Sequence, residues 1–521
     1  MGTGVVIFLY YLKANLVSEI YCRSPKTLLK NHKRLNAIKE GRKVRLTSIK
    51  RNFLYNTFYQ VLTILIPLIT TPYLTRTLGA AGIGEYSYAY SIAYYFVMLM
   101  QLGLNNYGNR EIAKNRDNRE KRSLAFFGIY RMQLICSLFA IAMYCIYIIR
   151  YTGNRAMTIA MVPYIISGAL DINWFFFGME EFKITVVRNA IIKILTTISI
   201  FTFVNDCNDV IVYAYIMTVS MLCTQFVMWP FLSGRVDYIR VSKHDVLKHL
   251  KPNLVLFIPV VAVSLYKMMD KIMLGVMASK VEVGYYDCSE KIIQIPMALI
   301  TSLGTVMLPR MSNLFAKSNT NAAERIFKKS INLALFLSTS IGFGIMSIGK
   351  TFVPWFYGDG FVKCIRLFNI LLPSCIFLSF ANVIRTQYLI PNEKDKEFII
   401  SVVTGAIVNL TINTLFIPHF GSIGAAIGTL IAEASVCIVQ IAFVYKELPM
   451  RQYIYGSFKY VLSGYIMFAL LYKIEFIWLP VIINILLQVM IGAIVYLLSL
   501  LILHRIEILF YKGNEFDGTE R

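Results

Sequence analysis

The sequence predicts an all-α integral membrane protein of about fourteen transmembrane helices in two similar bundles, and three observations carry that expectation. Hydrophobic residues make up 57 % of the 521 positions against 16 % charged, with a mean hydropathy of +0.59. A soluble domain would carry about 25 % charged residues. Apolar runs near the roughly 20 residues that cross a bilayer recur along the whole chain. Thirdly, the chain repeats itself. Leu102-Gly103, followed by Arg110 and Ala113-Lys114, returns as Leu303-Gly304, followed by Arg310 and Ala316-Lys317. Upstream, Leu78-Gly79 precedes Gly84-Glu85-Tyr86 just as Leu274-Gly275 precedes Gly284-Tyr285-Tyr286, with Pro67 and Pro259 ahead of the two copies.

Taken in order, the runs are 52–78, 85–107, 123–149, 157–177, 184–204, 210–232, 254–277, 285–308, 331–348, 361–384, 398–417, 422–445, 458–472 and 478–503, numbered here as spans 1 to 14. Span 13 is the shortest. An even count puts both termini on one side of the membrane. Two similar bundles facing each other across a midplane suit a transporter, because the gap between them can open to either side. Function is therefore expected between the halves.

The net charge of +23 is distributed by loop. Arg110, Lys114, Arg116, Arg119, Lys121 and Arg122 follow span 2. Arg235, Arg240, Lys243, Lys248 and Lys251 follow span 6, and Arg310, Lys317, Arg325, Lys328 and Lys329 follow span 8. Lys280 stands alone after span 7, and the loops after spans 5 and 11 hold no lysine or arginine. By the positive-inside rule, the even loops and both termini are expected in the cytoplasm. Nucleic acid is excluded as a partner because these loops lack interleaved aromatic platforms. The nine cysteines are scattered, mostly within spans, and five histidines lack paired spacing, so no metal site is expected. Residues 5–12 form an apolar run too short to span and without the flanks of a signal peptide. The basic stretch 26–51 reads as a cytoplasmic tail or a helix on anionic headgroups.

Charges inside spans are costly, so they mark candidate functional residues. Asp171 in span 4 and Lys193 in span 5 are each eleven residues from Phe182 at the turn, which at about 1.5 Å per residue places them at similar depth, able to pair. Span 7 carries Lys267, Asp270 and Lys271 at i, i+3 and i+4, one helical face. Span 8 opens with Asp287, Glu290 and Lys291. These six groups are expected to face the central cavity, or else to neutralise one another. Arg76 and Glu85 occupy the comparable ends of spans 1 and 2, where Arg76 can also snorkel. Arg131, Glu433 and Arg385 are weaker candidates.

Several stretches carry a family resemblance. Asp171-Ile172-Asn173-Trp174, Gly178-Met179-Glu180-Glu181-Phe182 and Arg188-Asn189 are followed by Leu389-Ile390-Pro391-Asn392-Glu393-Lys394 and Asn409-Leu410-Thr411-Ile412-Asn413. Ile417-Pro418 and the run from Gly421 to Thr429 come next. With Arg51-Asn52-Phe53-Leu54-Tyr55-Asn56 and Leu308-Pro309-Arg310-Met311, this order resembles the bacterial polysaccharide flippases of Wzx type, within the multidrug/oligosaccharidyl-lipid/polysaccharide exporter superfamily. The resemblance covers roughly residues 49–512.

It implies two pseudo-symmetric six-helix lobes in a V plus a C-terminal helix pair: a basic extension over 1–48, an N-lobe over 49–240, a C-lobe over 241–447, and spans 13 and 14 with the tail over 448–521. It further implies a flippase, not an enzyme, moving polyprenyl-diphosphate-linked oligosaccharide repeat units from the inner to the outer leaflet by alternating access. Membrane lipids, a polysaccharide polymerase and a chain-length regulator are the implied partners. Sugar hydroxyls dragged unpaired through hydrocarbon cost several kcal/mol, so the head group needs a wet, basic cavity. Lys267, Lys271, Lys291 and Arg76 are the candidate cations for it. Asp270, Glu290, Asp171 and Lys193 are the candidates for coupling or gating, with H+ or Na+ as the coupling ion and no other cofactor expected. A multidrug or cation exporter and a peptidoglycan-precursor lipid flippase are the alternatives within the superfamily. A membrane glycosyltransferase is disfavoured because external loops are short and Asp206-Cys207-Asn208-Asp209 lacks a DxD spacing.

Overall fold

A computed structural model of the chain describes the backbone of residues 28–474 and 478–517, and side chains over 62–507 except at 64, 182, 266, 267 and 475–477. The apolar run at 5–12 lies outside the described residues. The chain divides into two compact units, Met1–Tyr59 and Gln60–Arg521. Apart from the first part of helix α1, the features below belong to the second.

Helix α1, Leu28–Gln101, contains spans 1 and 2 and is broken at Gly79 (φ 66°, ψ −179°). That backbone region is essentially closed to residues with a Cβ, so glycine is what lets the two spans part here. After α2, Leu104–Asn115, comes α3, Arg119–Arg150, whose N-cap Asn118 accepts from the Lys121 amide. Span 4 is not one helix. It runs as α4, Arg155–Ala160, then α5, Val162–Leu170, then α6, Asn173–Gly178. Pro163 starts α5, and the chain turns extended at Asp171 (φ −72°, ψ 109°). Spans 5 and 6 are α7, Phe182–Phe203, and α8, Val210–Phe226.

The second half begins with α9, Lys243–Met277, opened by a capping box between Ser242 and Asp245 and carrying Pro252 and Pro259. Then come α10, Lys280–Ala316, and α11, Thr320–Tyr357. Span 10 is again segmented, as α12, Lys363–Leu371, and α13, Ser374–Ile384, ending in a π-helical turn over Arg385–Leu389. Helices α14, Asp395–Phe420, and α15, Ser422–Val444, complete this half, and α16, Met450–Leu471, and α17, Val481–Asp517, follow. Among the described residues twelve stretches are long and apolar enough to cross a membrane, one overlapping each of spans 3 to 14; that at span 7 begins earlier, as Lys243–Leu265. Leu486, Val489, Leu498 and Leu501 on α17 are about half exposed. Such a face suits contact with lipid. The chain is a multi-pass membrane protein of two helical lobes with a C-terminal pair, α16 packing on α11 and α17 on both.

Helix α9 belongs to both lobes. Its first part packs on α2 and α3, where the Tyr107 hydroxyl lies 2.6 Å from His249 Nδ1, while α9 also packs along α14. A proline pair inside a helix that touches both lobes marks the place where it can bend.

Candidate functional site

The repeated glycines meet each other. A Cβ built on Gly84 would lie 1.7 Å from the Lys280 carbonyl oxygen, and one on Gly284 would lie 2.0 Å from that of Ala80. No side chain fits there, so α1 after Gly79 crosses the start of α10 backbone on backbone. Three residues beyond each glycine the copies touch again, Ser87 Oγ donating to Asp287 Oδ1 at 2.9 Å. Around this crossing Arg76 donates to the Trp355 carbonyl, Asn154 Nδ2 donates to Glu85 Oε1 at 2.6 Å, and the Lys280 ammonium lies over the Tyr88 ring. The two lobes are thus sealed at the face that bears Lys280.

Directly inside the seal lies a buried ion network. Asp287, 4 % exposed, receives Lys271 Nζ at 2.6 Å and Lys291 Nζ at 2.7 Å in addition to Ser87. Lys271 also reaches Glu290 at 3.0 Å. Two ammonium groups and two carboxylates balance, so the cluster neutralises itself in this conformation. Lys291 keeps half of its side chain exposed, whereas that of Lys271 is 12 % exposed. An anionic guest would therefore have to exchange partners with the carboxylates to reach these lysines.

The expectation that Asp270 shares a face with Lys271 gives way to a division. Neighbouring residues on a helix point about 100° apart, and here that angle separates two environments. Asp270, fully buried, turns into the second lobe, where it accepts from Tyr286 Oη (2.6 Å), Asn413 Nδ2 (2.5 Å) and Thr429 Oγ1 (3.0 Å). All three donors are neutral. Asn413 Oδ1 is buried against Gly428 without a hydrogen-bond partner. That donor set suits a proton or a small hard cation such as Na+. A cavity of ≈ 420 Å³ in the second lobe runs from Tyr286 and Thr429 past Glu290 and Glu433 to Arg385 and Phe398. The Lys267 side chain lies outside the described residues.

In the first lobe Asp171 has partners other than the Lys193 proposed for it. Its carboxylate accepts from Gln101 Nε2 (2.8 Å), the Asn173 amide (2.9 Å) and Asn173 Nδ2 (2.8 Å), and Arg188 Nη2 in turn donates to Asn173 Oδ1 at 3.1 Å. The backbone at Asp171 is extended, and its side chain meets these groups. Arg76, read from the sequence as a head-group cation or a snorkelling residue, is exposed and donates to the Pro72 and Trp355 carbonyls. Arg131 Nη1 donates to the Val241 carbonyl at 2.8 Å, a structural tie. Ser87, Tyr286 and Gln101 were missed as contacts. The one signal for the first two was their place in the repeated segment.

Comparison with known proteins agrees with this architecture. Residues 49–315 match the family model described as "Polysaccharide biosynthesis protein". The "Putative O-antigen transporter" of Escherichia coli (strain K12) is 23 % identical over 402 residues, 76 % of this chain and 97 % of that protein. "Lipid II flippase MurJ" of Bacillus subtilis (strain 168) is 26 % identical over 143 residues, 27 % of this chain and 26 % of that one. Among solved structures, "Lipid II flippase MurJ, inward closed conformation" superposes with a TM-score of 0.67 at 14 % identity, covering 88 % of this chain and 99 % of the other. The fold is shared with that structure, and the chain belongs to the polysaccharide biosynthesis protein family, the Wzx-type members of the superfamily named above.

Proposed function

We propose that the protein is a flippase that carries polyprenyl-diphosphate-linked oligosaccharide repeat units from the inner to the outer leaflet of the cytoplasmic membrane, for surface polysaccharide export. The observation that carries this reading is the Lys271, Asp287, Lys291, Glu290 network at the crossing of the two lobes. A diphosphate is a competitor for both ammonium groups, and Asp287 is tied to the seal through Ser87. Arrival of the head group draws the lysines from Asp287 and so loosens the contact that holds the lobes shut on the Lys280 face. The sequences named O-antigen transporter and flippase among the relatives support the substrate class. An exporter of organic cations would gain nothing from buried lysines at this point.

Coupling is assigned to Asp270. Its neutral donors, the unpartnered Asn413 oxygen and the cavity ending on Tyr286 and Thr429 support binding of H+ or Na+ there. Asp270→Asn is expected to remove the dependence of export on external pH or sodium while the protein stays inserted. An unchanged ion dependence in vesicle export assays would argue against it.

The basic loops are assigned to the cytoplasm and Lys280 to the outside. Cysteines placed singly at 121 and 248 in a cysteine-free background are expected to resist an impermeant thiol reagent in intact cells, and one at 280 to react. Labelling at 248 would overturn the orientation. The function itself is tested by complementing a strain that lacks a known repeat-unit flippase and assaying lipid-linked intermediates by leaflet. Restored export with intermediates in the outer leaflet is expected, and inner-leaflet accumulation with restored drug efflux instead would sink the reading.

A further inference from the structure

The first lobe holds a second cavity, of ≈ 260 Å³, between spans 2, 4 and 6, with Val260 of α9 at its side. Its character is opposite to that of the lysine network, since no lysine or arginine lines it. Tyr94 and Tyr164 supply ring surface, and Gln101, Asn106, Gln225 and Asp171 supply polar groups. The Asn105 and Asn106 amides are exposed at its rim and make no side-chain hydrogen bond within the described residues, so they are free to bond a guest. Leu102, at φ 50°, breaks α1 from α2 at this cavity, a left-handed conformation that a leucine adopts only when its surroundings enforce it.

This chemistry fits a neutral polyol. Amide side chains both donate and accept, as hydroxyls do, and aromatic rings with a polar tip take the apolar face of a pyranose while their hydroxyls bond its edge. An organic cation is the competing guest for a carboxylate among tyrosines. Asp171, however, already accepts three hydrogen bonds, and Arg188 is tied to the same Asn173.

A row of packed rings also leads away from the cavity along α1. Tyr94, Tyr90 and Tyr86 recur every four residues on one face of α1. Tyr90 stacks on Tyr164 with centroids 5.0 Å apart and on Tyr86 at 6.0 Å, and Tyr86 meets Tyr213 edge-on at 4.8 Å. The column ends beside Ser87, which bonds Asp287 of the lysine network.

We propose that this cavity is a saccharide subsite, separate from the diphosphate site, and that the tyrosine column is the surface along which the sugar passes toward the Asp287 crossing. The proposal rests on the flippase reading and names where that substrate's sugar is recognised. The full chain in lipid nanodiscs is titrated with two probes, undecaprenyl diphosphate and the same lipid carrying one hexosamine. Wild type is expected to prefer the sugar-bearing probe by about tenfold, the worth of one or two well-made hydrogen bonds. Tyr94→Ala and Asn106→Ala should erase most of that preference without weakening the sugar-free probe, and Tyr94→Phe should keep only the part owed to the ring. Lys271→Gln with Lys291→Gln should weaken both probes.

The subsite is overturned if Tyr94→Ala and Asn106→Ala leave the preference intact or weaken both probes alike. It is overturned too if tetraphenylphosphonium displaces the sugar-bearing probe and loses its own binding in Tyr94→Ala. If wild type binds neither probe, the flippase reading fails and the subsite with it.

Discussion

Asp287→Ala is expected to be the most damaging single substitution in the lobe crossing. The carboxylate is buried and receives Ser87, Lys271 and Lys291. Its loss leaves the largely buried Lys271 with Glu290 alone and Lys291 with no acidic partner in the network. Removing one member of a buried pair costs about 3 to 5 kcal/mol in soluble proteins, a large share of a net stability of about 5 to 15 kcal/mol. The half-exposed Lys291 contributes the smaller part, because water solvates it. Thermal unfolding in detergent should therefore shift down strongly and membrane levels fall. Adding Lys271→Met should recover most of the loss, since it removes the uncompensated charge. Wild-type stability of Asp287→Ala would show that the network is not made.

Gly84→Val and Gly284→Val are expected to abolish export by a different route. A Cβ is fixed to the backbone and has no rotamer by which to escape, and at Gly84 it would sit 1.7 Å from a carbonyl oxygen. The helices must therefore move apart, and the seal on the Lys280 face cannot close. Valine is apolar, so insertion and abundance should hold. A cysteine at 87 should become reactive toward an impermeant thiol reagent in the valine variants and remain protected in the parent. Gly344→Ala is the control, because the nearest atom to its built Cβ is 3.9 Å away. Normal export by Gly84→Val would remove the glycine crossing from the transport cycle.

The helical segments were legible from hydropathy, because a bilayer imposes one length and one composition on each span. Each of spans 3 to 14 overlaps a membrane-crossing stretch, with span 7 beginning earlier than its apolar run. The repeat was also legible, but not its meaning. That Gly84 and Gly284 touch depends on where the pseudo-symmetry axis passes, and a linear pattern carries no information about an axis. Side-chain partners were the least accessible. Lys267, Asp270 and Lys271 share a face by spacing, yet the helix that carries them is wedged between neighbours, so a difference of one residue sends Asp270 to Asn413 and Lys271 to Asp287. The Asp171 network was hidden because span 4 unwinds there, which hydropathy does not register.

The dual membership of α9 has a thermodynamic consequence. One end of this helix is anchored to the first lobe through His249, and Asp270 farther along it is held by α14 and α15. The ion proposed at Asp270 and the angle between the lobes therefore act on the same helix. Linkage makes that influence reciprocal: if the ion favours one conformation by a given factor, that conformation must hold the ion more tightly by the same factor. Jamming the glycine crossing open should then alter ion affinity at a site several turns away without touching any ligand. Each tenfold change in affinity corresponds to about 1.4 kcal/mol of conformational bias delivered through a single helix.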